Sequence, residues 1–425
     1  MSKSVDRRDT WQLRNRPAWV EETNSIGRLI DAKAVVPLDE PSLLDHARRS
    51  TGLHDFGEDG WQDHFRVLLK SIEEEANLNL VGRLLTRSDL LTYLEIRLQV
   101  TEAYRLHPEI DDEVITEPVF ILGFGRSGTT ILHETLSQDP QFRSVRRWEA
   151  LFPWPAPEEE TYETDPRIQK AADRVEVVHR ISPEFKATHA WGADLPLEDI
   201  EFTYPAFFSE VWPLAYQIPS FERYFHERSP DDHFAWHKRF LKLLQWKFKR
   251  PHWLLKNPTH MPRIPSLLKF YPDAKIIFPH RDPVTTADSV VNIQGIIYSW
   301  RTDRIYGAGG TGEEWFDIEP RVKMWGDVID LIESGLVRKS SLANVLYVDF
   351  VRDPLSTIAR IYRDLGLTLD AGILERMGAF LEERNKGGHG NKAVYTKSDA
   401  TDPRTIAERY AYKRYQDYFS VPNER

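Results

Sequence analysis

The stretch Pro118–Gln138 constrains the fold of this chain more than any other. It begins with the apolar run Val119–Leu122, which is typical of a buried parallel strand. A glycine-bearing turn, Gly123–Gly128, follows, and a helical pattern starts at Thr129. In such a unit, backbone N–H groups point into the turn and the helix N-terminus adds a partial positive charge. The stretch therefore predicts an anion-binding turn at the carboxyl end of a strand.

The spacing of Gly123 and Gly128 is that of the nucleotide-binding pattern GxxxxGK[ST], but one element of the pattern is missing. Thr129 stands where the lysine is expected, and the cation, Arg126, lies inside the turn instead. A nucleotide kinase uses that lysine on the β- and γ-phosphates and the next hydroxyl on magnesium. The substitution disfavours a P-loop kinase and leaves it as an alternative, beside a turn that binds nothing.

A second anion-binding pattern lies near residue 281. The run Lys275–His280 predicts a strand that delivers Arg281, and Ser289 follows eight positions later on a predicted helix. A bidentate guanidinium and a hydroxyl on the adjacent helical turn suit a phosphate monoester. The alternative is that Arg281 is a structural residue paired with Asp282 or another nearby acid.

Together, the two motifs resemble the sulfotransferases that use 3′-phosphoadenosine 5′-phosphosulfate (PAPS), and the bacterial branch in particular. Arg126-Ser-Gly-Thr-Thr130 is similar to the first signature of the family, and Arg281 with Ser289 to the second. The resemblance covers roughly residues 114–366. It implies a P-loop-type parallel sheet flanked by helices, PAPS as donor with 3′-phosphoadenosine 5′-phosphate (PAP) as product, and no metal. Cofactor contacts are expected from Gly125, Arg126, Ser127, Gly128, Thr129, Thr130, Arg281 and Ser289, and from Lys386 and Gly387 in a C-terminal loop that closes over the 3′-phosphate.

The resemblance also suggests the residues of the reacting centre. Lys256 ends a predicted apolar strand, at the place where the family brings a lysine to the transferring sulfuryl group. The segment Asp194–Asp199 resembles the Asp-x-Pro-x-Glu-Asp segment of bacterial sulfotransferases, which makes Glu198 the first candidate for the base that activates the acceptor. His260 and His189 are alternative bases. The same acidic segment also has the pattern of a helix N-terminus with Pro196 at its first position.

Two further patterns bear on rival functions. The apolar run that ends at Asp349 is similar to the acidic strand end of an NTPase and is the best sequence evidence for a kinase. His233 and His237 are four residues apart, and His226 precedes them, yet no HExxH string accompanies them. We therefore expect a solvated helix face there rather than a metal site. A third alternative is a catalytically silent sulfotransferase-like protein that binds a nucleotide or partner.

The remaining periodicity predicts the architecture. Residues 1–113 are expected to form an N-terminal helical extension, with one amphipathic helix through Trp61, Phe65, Leu68, Leu69 and Ile72 and another capped by Ser88-Asp89. Strands predicted at 118–122, 252–255, 275–279 and 344–348 alternate with helices. The expected fold is an α/β domain over 114–425, with a parallel sheet and its ligands at the carboxyl ends of the strands.

Composition narrows the partners. A net charge of −10 argues against a general nucleic-acid surface, and the absence of cysteine excludes disulfides and thiol catalysis. The polar start and the lack of an 18-residue apolar run predict a cytoplasmic protein without a membrane span. Aromatic residues make up 12% of the chain. Either they belong to the core, or some of them line a pocket for a small apolar or aromatic acceptor, whose identity the sequence leaves open. A homo-oligomer is also left open.

Overall fold

A parallel β-sheet forms the centre of the molecule. The structure is a computed structural model, and it describes residues 7–12, 16–58, 60–306, 316–386 and 399–424. Within them, the sheet has five strands: β1 (Val119–Ile121), β2 (Phe142–Arg143), β3 (His252–Lys256), β4 (Lys275–His280) and β5 (Leu342–Leu346). Their order is β2-β3-β1-β4-β5, and each neighbouring pair is parallel. The central strand β1 is buried throughout because helices cover both faces of the sheet, as parallel sheets require.

Helices connect and cover these strands. Before the sheet come α1 (Ala18–Gly27), α2 (Ala32–Val35), α3 (Glu40–Thr51), α4 (Trp61–Glu75) and α5 (Leu80–Leu106). Between β1 and β3 lie α6 (Thr129–Leu136), α7 (Arg147–Leu151), α8 (Arg167–Ile181), α9 (Pro183–Thr188), α10 (Val211–Ala215), α11 (Pro219–His226) and α12 (Asp231–Gln245). After β3 follow α13 (Ile264–Phe270), α14 (Pro283–Ser299), α15 (Ile318–Glu333), α16 (Tyr347–Arg352), α17 (Pro354–Leu365), α18 (Ala371–Lys386), α19 (Pro403–Ala411) and α20 (Lys413–Phe419). Two 3-10 helices, Asp199–Ala206 and Pro258–Arg263, border the site described below.

The predicted α/β architecture is confirmed, with two corrections in the sheet. The edge strand β2 was not predicted, because two residues are too few to show a pattern. The last strand ends at Leu346, and Tyr347 already starts α16. Asp349 therefore lies inside a helix, where it accepts a hydrogen bond from Arg352 at 2.7 Å. The prediction of a strand-end acid of the NTPase type is wrong.

The N-terminal helices pack against the part of the chain that follows α9. All five apolar residues predicted for the first amphipathic helix are buried in α4. The next helix does not begin at Ser88-Asp89, as predicted, but at Leu80, with the Asn79 side chain accepting a hydrogen bond from Gly82 N. Asp89 instead pairs with Arg301 at 2.6 Å. These helices share one hydrophobic cluster with residues between 200 and 225.

No helix within the described ranges is both long enough and apolar enough to cross a bilayer.

Candidate functional site

The glycine-bearing turn joins β1 to α6 and is held in a strained backbone conformation. Arg126 has φ +74° and Gly128 φ +93°, both in the left-handed region. A Cβ on Gly128 would lie 2.8 Å from the Tyr347 ring, so only glycine leaves this close approach free. The buried Ser127 hydroxyl donates to the Phe124 carbonyl at 2.7 Å and closes the turn.

The second motif lies directly beside this turn. Arg281 follows β4, the strand paired with β1, and its Nη1 donates to the Arg126 carbonyl oxygen at 3.0 Å. Arg126 in turn donates from Nε to the Ser289 hydroxyl at 2.9 Å. The structure thus brings together the two patterns that the sequence places more than 150 residues apart.

The Arg281 guanidinium already holds an oxyanion. Its Nε and Nη2 donate to the two carboxylate oxygens of Glu424 at 2.8 and 2.9 Å. The same guanidinium lies 4.0 Å from the centroid of the Tyr347 ring. Asp282, the partner considered from the sequence, instead accepts from Val284 N at the start of α14 and pairs with Arg409 at 3.3 Å. Arg281 is therefore arranged for bidentate binding of two oxygens, and no sequence pattern pointed to Glu424.

The predicted reacting centre contains a lysine–carboxylate contact. Lys256, at the carboxyl end of β3, is 2% exposed, and its Nζ donates to Glu198 Oε1 at 2.5 Å. Glu198 immediately precedes the 3-10 helix Asp199–Ala206 and makes no side-chain cap bond. The interpretation of Pro196 as the first residue of a helix is wrong, because Pro196 forms a β-bridge with Arg146.

His189 lies within range of the charges of Lys256 and Arg126. Burial, together with the charges of Lys256 and Arg126, lowers the pKa of His189 to about 3. Its imidazole is therefore neutral at physiological pH.

His260, the alternative base, is buried and faces a carboxylate. It is 1% exposed, and its Nε2 is 3.1 Å from Asp199 Oδ1. The other Asp199 oxygen is 3.5 Å from His237 Nε2. His233 and His237 are both buried, so the predicted solvated helix face on α12 is wrong. The His237 ring lies 6.2 Å from that of Phe120 in β1, and the His233 ring lies 5.6 Å from that of His260, between ring centroids.

A cavity of about 910 Å³ opens between α6, β2, residues 189–196 and the end of α18, and it is lined by His189 but not by Arg126, Glu198 or Lys256. Its lining includes the aromatic and apolar residues Phe142, Trp191, Leu195, Phe248 and Phe380, the cationic residues Arg146, Lys186, Arg250 and Arg376, and His189. Near its edge, Arg384 of α18 pairs with Glu134 of α6 at 2.8 Å. Lys386 is exposed at the end of α18, and the predicted contact Gly387 lies outside the described residues.

The two elements predicted to bind anions adjoin at the carboxyl edge of a parallel sheet, which is where α/β folds bind phosphorylated ligands. A family model described as the sulfotransferase family matches residues 118–371, which is more than half of the chain. The chain belongs to the sulfotransferase family.

Relatives are found in mycobacteria. The omega-hydroxy-beta-dihydromenaquinone-9 sulfotransferases Stf3 of Mycobacterium bovis and Mycobacterium tuberculosis are each 26% identical to this chain over 329 residues, which is 72% of this chain and 78% of theirs. The crystal structure of sulfotransferase STF9 from Mycobacterium avium has a TM-score of 0.74 at 25% identity and covers 91% of this chain and 97% of its own. The crystal structure of sulfotransferase STF1 from Mycobacterium tuberculosis has a TM-score of 0.70 at 24% identity, and it covers 90% of this chain and 99% of its own. The protein is thus a sulfotransferase with the fold of these bacterial enzymes.

Proposed function

We propose that this enzyme transfers the sulfuryl group of PAPS to a hydroxyl, or an amine, of a small apolar or aromatic acceptor. The observation that carries this proposal is the contact between the two anion-binding elements through Arg126, Ser289 and Arg281. PAPS has one anionic group at each end of its ribose. Two adjoining oxyanion sites therefore suit it better than ATP, whose charges all lie on one chain. That Arg281 binds both oxygens of a carboxylate supports its use on a phosphate.

Each residue of the reacting centre has its own role in the transfer. The acceptor oxygen attacks sulfur and forms a new S–O bond while the bond to the bridging oxygen of the donor breaks, so the products are the sulfated acceptor and PAP. Arg126 and Lys256 stabilise the negative charge that develops on the leaving oxygen and on the sulfuryl oxygens. Glu198 accepts the proton of the acceptor. The Lys256–Glu198 pair holds ammonium and carboxylate beside each other before the reaction, so that each can turn to its own partner when both substrates are bound.

The acceptor binds in the cavity beside His189, on this proposal. The aromatic and apolar part of its lining suits a hydrophobic body, and its charged residues suit polar groups of the acceptor. The Stf3 relatives are named for an omega-hydroxy menaquinone derivative, which supports a hydroxyl as the acceptor group.

The test is turnover of labelled PAPS with a panel of alcohols, phenols, sterols, amines and omega-hydroxylated isoprenoid quinones. We expect transfer to at least one hydroxyl-bearing member and undiminished activity in excess EDTA. Calorimetry should show binding of PAP without magnesium and weaker binding of ATP. Magnesium-dependent binding of ATP in preference to PAP would favour the kinase. Binding of PAP without turnover on any acceptor would favour the silent homologue.

A further inference from the structure

Behind the Lys256–Glu198 pair lies a buried carboxylate that the proposed mechanism does not use. Asp199 is 1% exposed, and its two oxygens face His260 Nε2 at 3.1 Å and His237 Nε2 at 3.5 Å. Neither contact has the geometry of a hydrogen bond. Burial alone would raise the pKa of Asp199, but the two imidazoles hold it well below its usual range. The carboxylate is therefore ionised and held in place by these two histidines.

Both histidines are themselves fixed. The His237 Nδ1 lies 2.7 Å from the Tyr271 hydroxyl, so the far side of its ring is anchored to the end of α13. His260 belongs to the 3-10 helix Pro258–Arg263. The Asn257 carboxamide oxygen starts that helix by accepting from Thr259 N and Thr259 Oγ1, both at 2.9 Å. The Asn257 backbone N–H donates to Ile121 of β1 at 3.2 Å. His260 is thus fixed at the carboxyl end of β3, and His237 is fixed by the residue that follows α13.

The order of residues along the two segments links this buried contact to the reacting centre. Glu198 and Asp199 are consecutive, and Lys256 is followed at once by the Asn257–His260 turn. Two contacts therefore connect the same two segments: the outer one joins Glu198 to Lys256, and the inner one joins Asp199 to His260. A shift of the inner contact would move the outer one.

We propose that Asp199 is a positioning residue, which fixes the Glu198 carboxylate opposite Lys256 through its contacts with His260 and His237. The role rests on the proposed function, since it supposes that Glu198 acts as the base. Misplacement of a reacting group by about 1 Å can cost about 10²-fold in rate. Loss of the inner contact should therefore lower kcat while leaving the cofactor site, which lies on β1 and β4, unchanged.

The experiment compares Asp199→Asn, Glu198→Gln and the double variant at saturating PAPS. We expect Asp199→Asn to lower kcat by about 10²-fold, with the Kd for PAP within twofold of the wild type. In the Glu198→Gln background it should cause almost no further loss, because a residue that acts through Glu198 has nothing left to position. The control is Glu73→Gln, which takes a carboxylate from the buried Arg83 in the N-terminal helices. Glu73→Gln should lower kcat only slightly. In the double variant with Glu198→Gln, the two fold-losses in kcat should multiply.

Two outcomes would overturn the proposal. One is that the losses in kcat of Asp199→Asn and Glu198→Gln multiply fully in the double variant. That result is expected if Asp199→Asn only disturbs the structure in general. The other is a bound metal, because the ligand atoms of Asp199, His237 and His260 lie within 4.8 Å of one another. One equivalent of zinc or another transition metal in the purified protein, lost in His237→Gln, would make the cluster a metal site instead.

Two further measurements keep the test decisive. If Asp199→Asn does not fold, His260→Gln takes its place, with the same expected lack of additivity. If the wild type neither turns over PAPS nor binds PAP, the proposed function has failed, and crystal structures still test positioning. The Glu198–Lys256 contact should then be broken in Asp199→Asn, and its persistence would refute the role of Asp199.

Discussion

At the scale of single residues, Arg281 is the residue proposed to recognise the 3′-phosphate of the cofactor. The Arg281 guanidinium donates two hydrogen bonds to the Glu424 carboxylate. The side chains of Arg281 and Glu424 are 22% and 20% exposed. A phosphate that approaches Arg281 must therefore displace a carboxylate that already satisfies the same donors. The first two predictions concern Arg281 and Glu424.

The first prediction concerns Arg281→Ala. Loss of a charge-assisted bidentate contact should weaken PAP binding by about 2–3 kcal/mol. Binding of adenosine 5′-phosphosulfate, which lacks the 3′-phosphate, should barely change. Ser289→Ala should act in the same direction as Arg281→Ala, but less. Calorimetry with both ligands checks this, and equal losses for the two would refute the assignment of Arg281 to the 3′-phosphate.

The second prediction concerns Glu424→Gln. The amide keeps the shape of the side chain but removes the charge that competes for Arg281, so PAP should bind several-fold more tightly. The Arg281→Ala background is the control, since the gain should vanish there. Unchanged or weaker PAP binding in Glu424→Gln would mean that the pair is only structural.

The third prediction concerns the base. Glu198→Gln keeps the shape of the side chain and removes the proton acceptor, so kcat should fall by ~10²–10⁴-fold while PAP binding stays intact. The comparison is with His189→Ala and His260→Ala under the same conditions. An active Glu198→Gln beside an inactive histidine variant would transfer the role of base to that histidine. The assignment as a sulfotransferase would be unaffected.

At the scale of elements, the turn between β1 and α6 depends on its glycines. The fourth prediction is that Gly128→Ala impairs both stability and PAP binding, because Gly128 combines a positive φ with a close neighbour in Tyr347. Backbone strain of this kind costs about 1–3 kcal/mol. Gly52→Ala is the matched control, since Gly52 also has a positive φ (69°) but no atom within 4 Å of the added Cβ. It should lose stability only, as urea unfolding and calorimetry would show. Normal PAP binding by Gly128→Ala would contradict the role of the turn.

At the scale of the whole molecule, buried neutral histidines couple stability to pH. Burial lowers the pKa of His133 to about 3 and that of His280 to about 4, against about 6.5 in an unfolded chain. Between these values and 6.5 the unfolded state binds protons that the folded state does not, so acid favours unfolding.

The fifth prediction is that the protein loses stability as the pH falls below 6.5. Below pH 6.5 each such histidine should reduce the free energy of unfolding by about 1.4 kcal/mol per pH unit. Urea unfolding between pH 7.5 and pH 5.0 measures the slope, which His280→Gln should make shallower. An unchanged slope in that variant would show that His280 is not buried in its neutral form.

The proposed domain division at residue 113 also belongs to this scale and stays a prediction. The helices of the N-terminal part share a core with residues between 200 and 225, where Phe65 and Phe207 have ring centroids 4.6 Å apart. A fragment that begins near residue 114 would therefore expose that shared surface.

The sequence by itself determined the features that depend on neighbouring residues. The apolar run, the glycines and the helix start of Pro118–Gln138 define one continuous unit, so the turn could be located without the fold. The spacing of Arg281 and Ser289 is equally local, since it follows from a strand end and one helix. The family resemblance rested on these two motifs, and the family match confirms it.

Only the tertiary structure decided which distant groups meet. Glu424 reaches Arg281 across 143 positions, and Asp199 reaches His260 across 61, because the strand order brings the ends of β1, β3 and β4 to one edge. The same cause explains the errors. Periodicity on α12 could not show that His233 and His237 are buried, and a two-residue edge strand has no periodicity at all. Local patterns report the backbone that a segment prefers, whereas charge pairing and burial are set by what the completed fold places opposite each side chain.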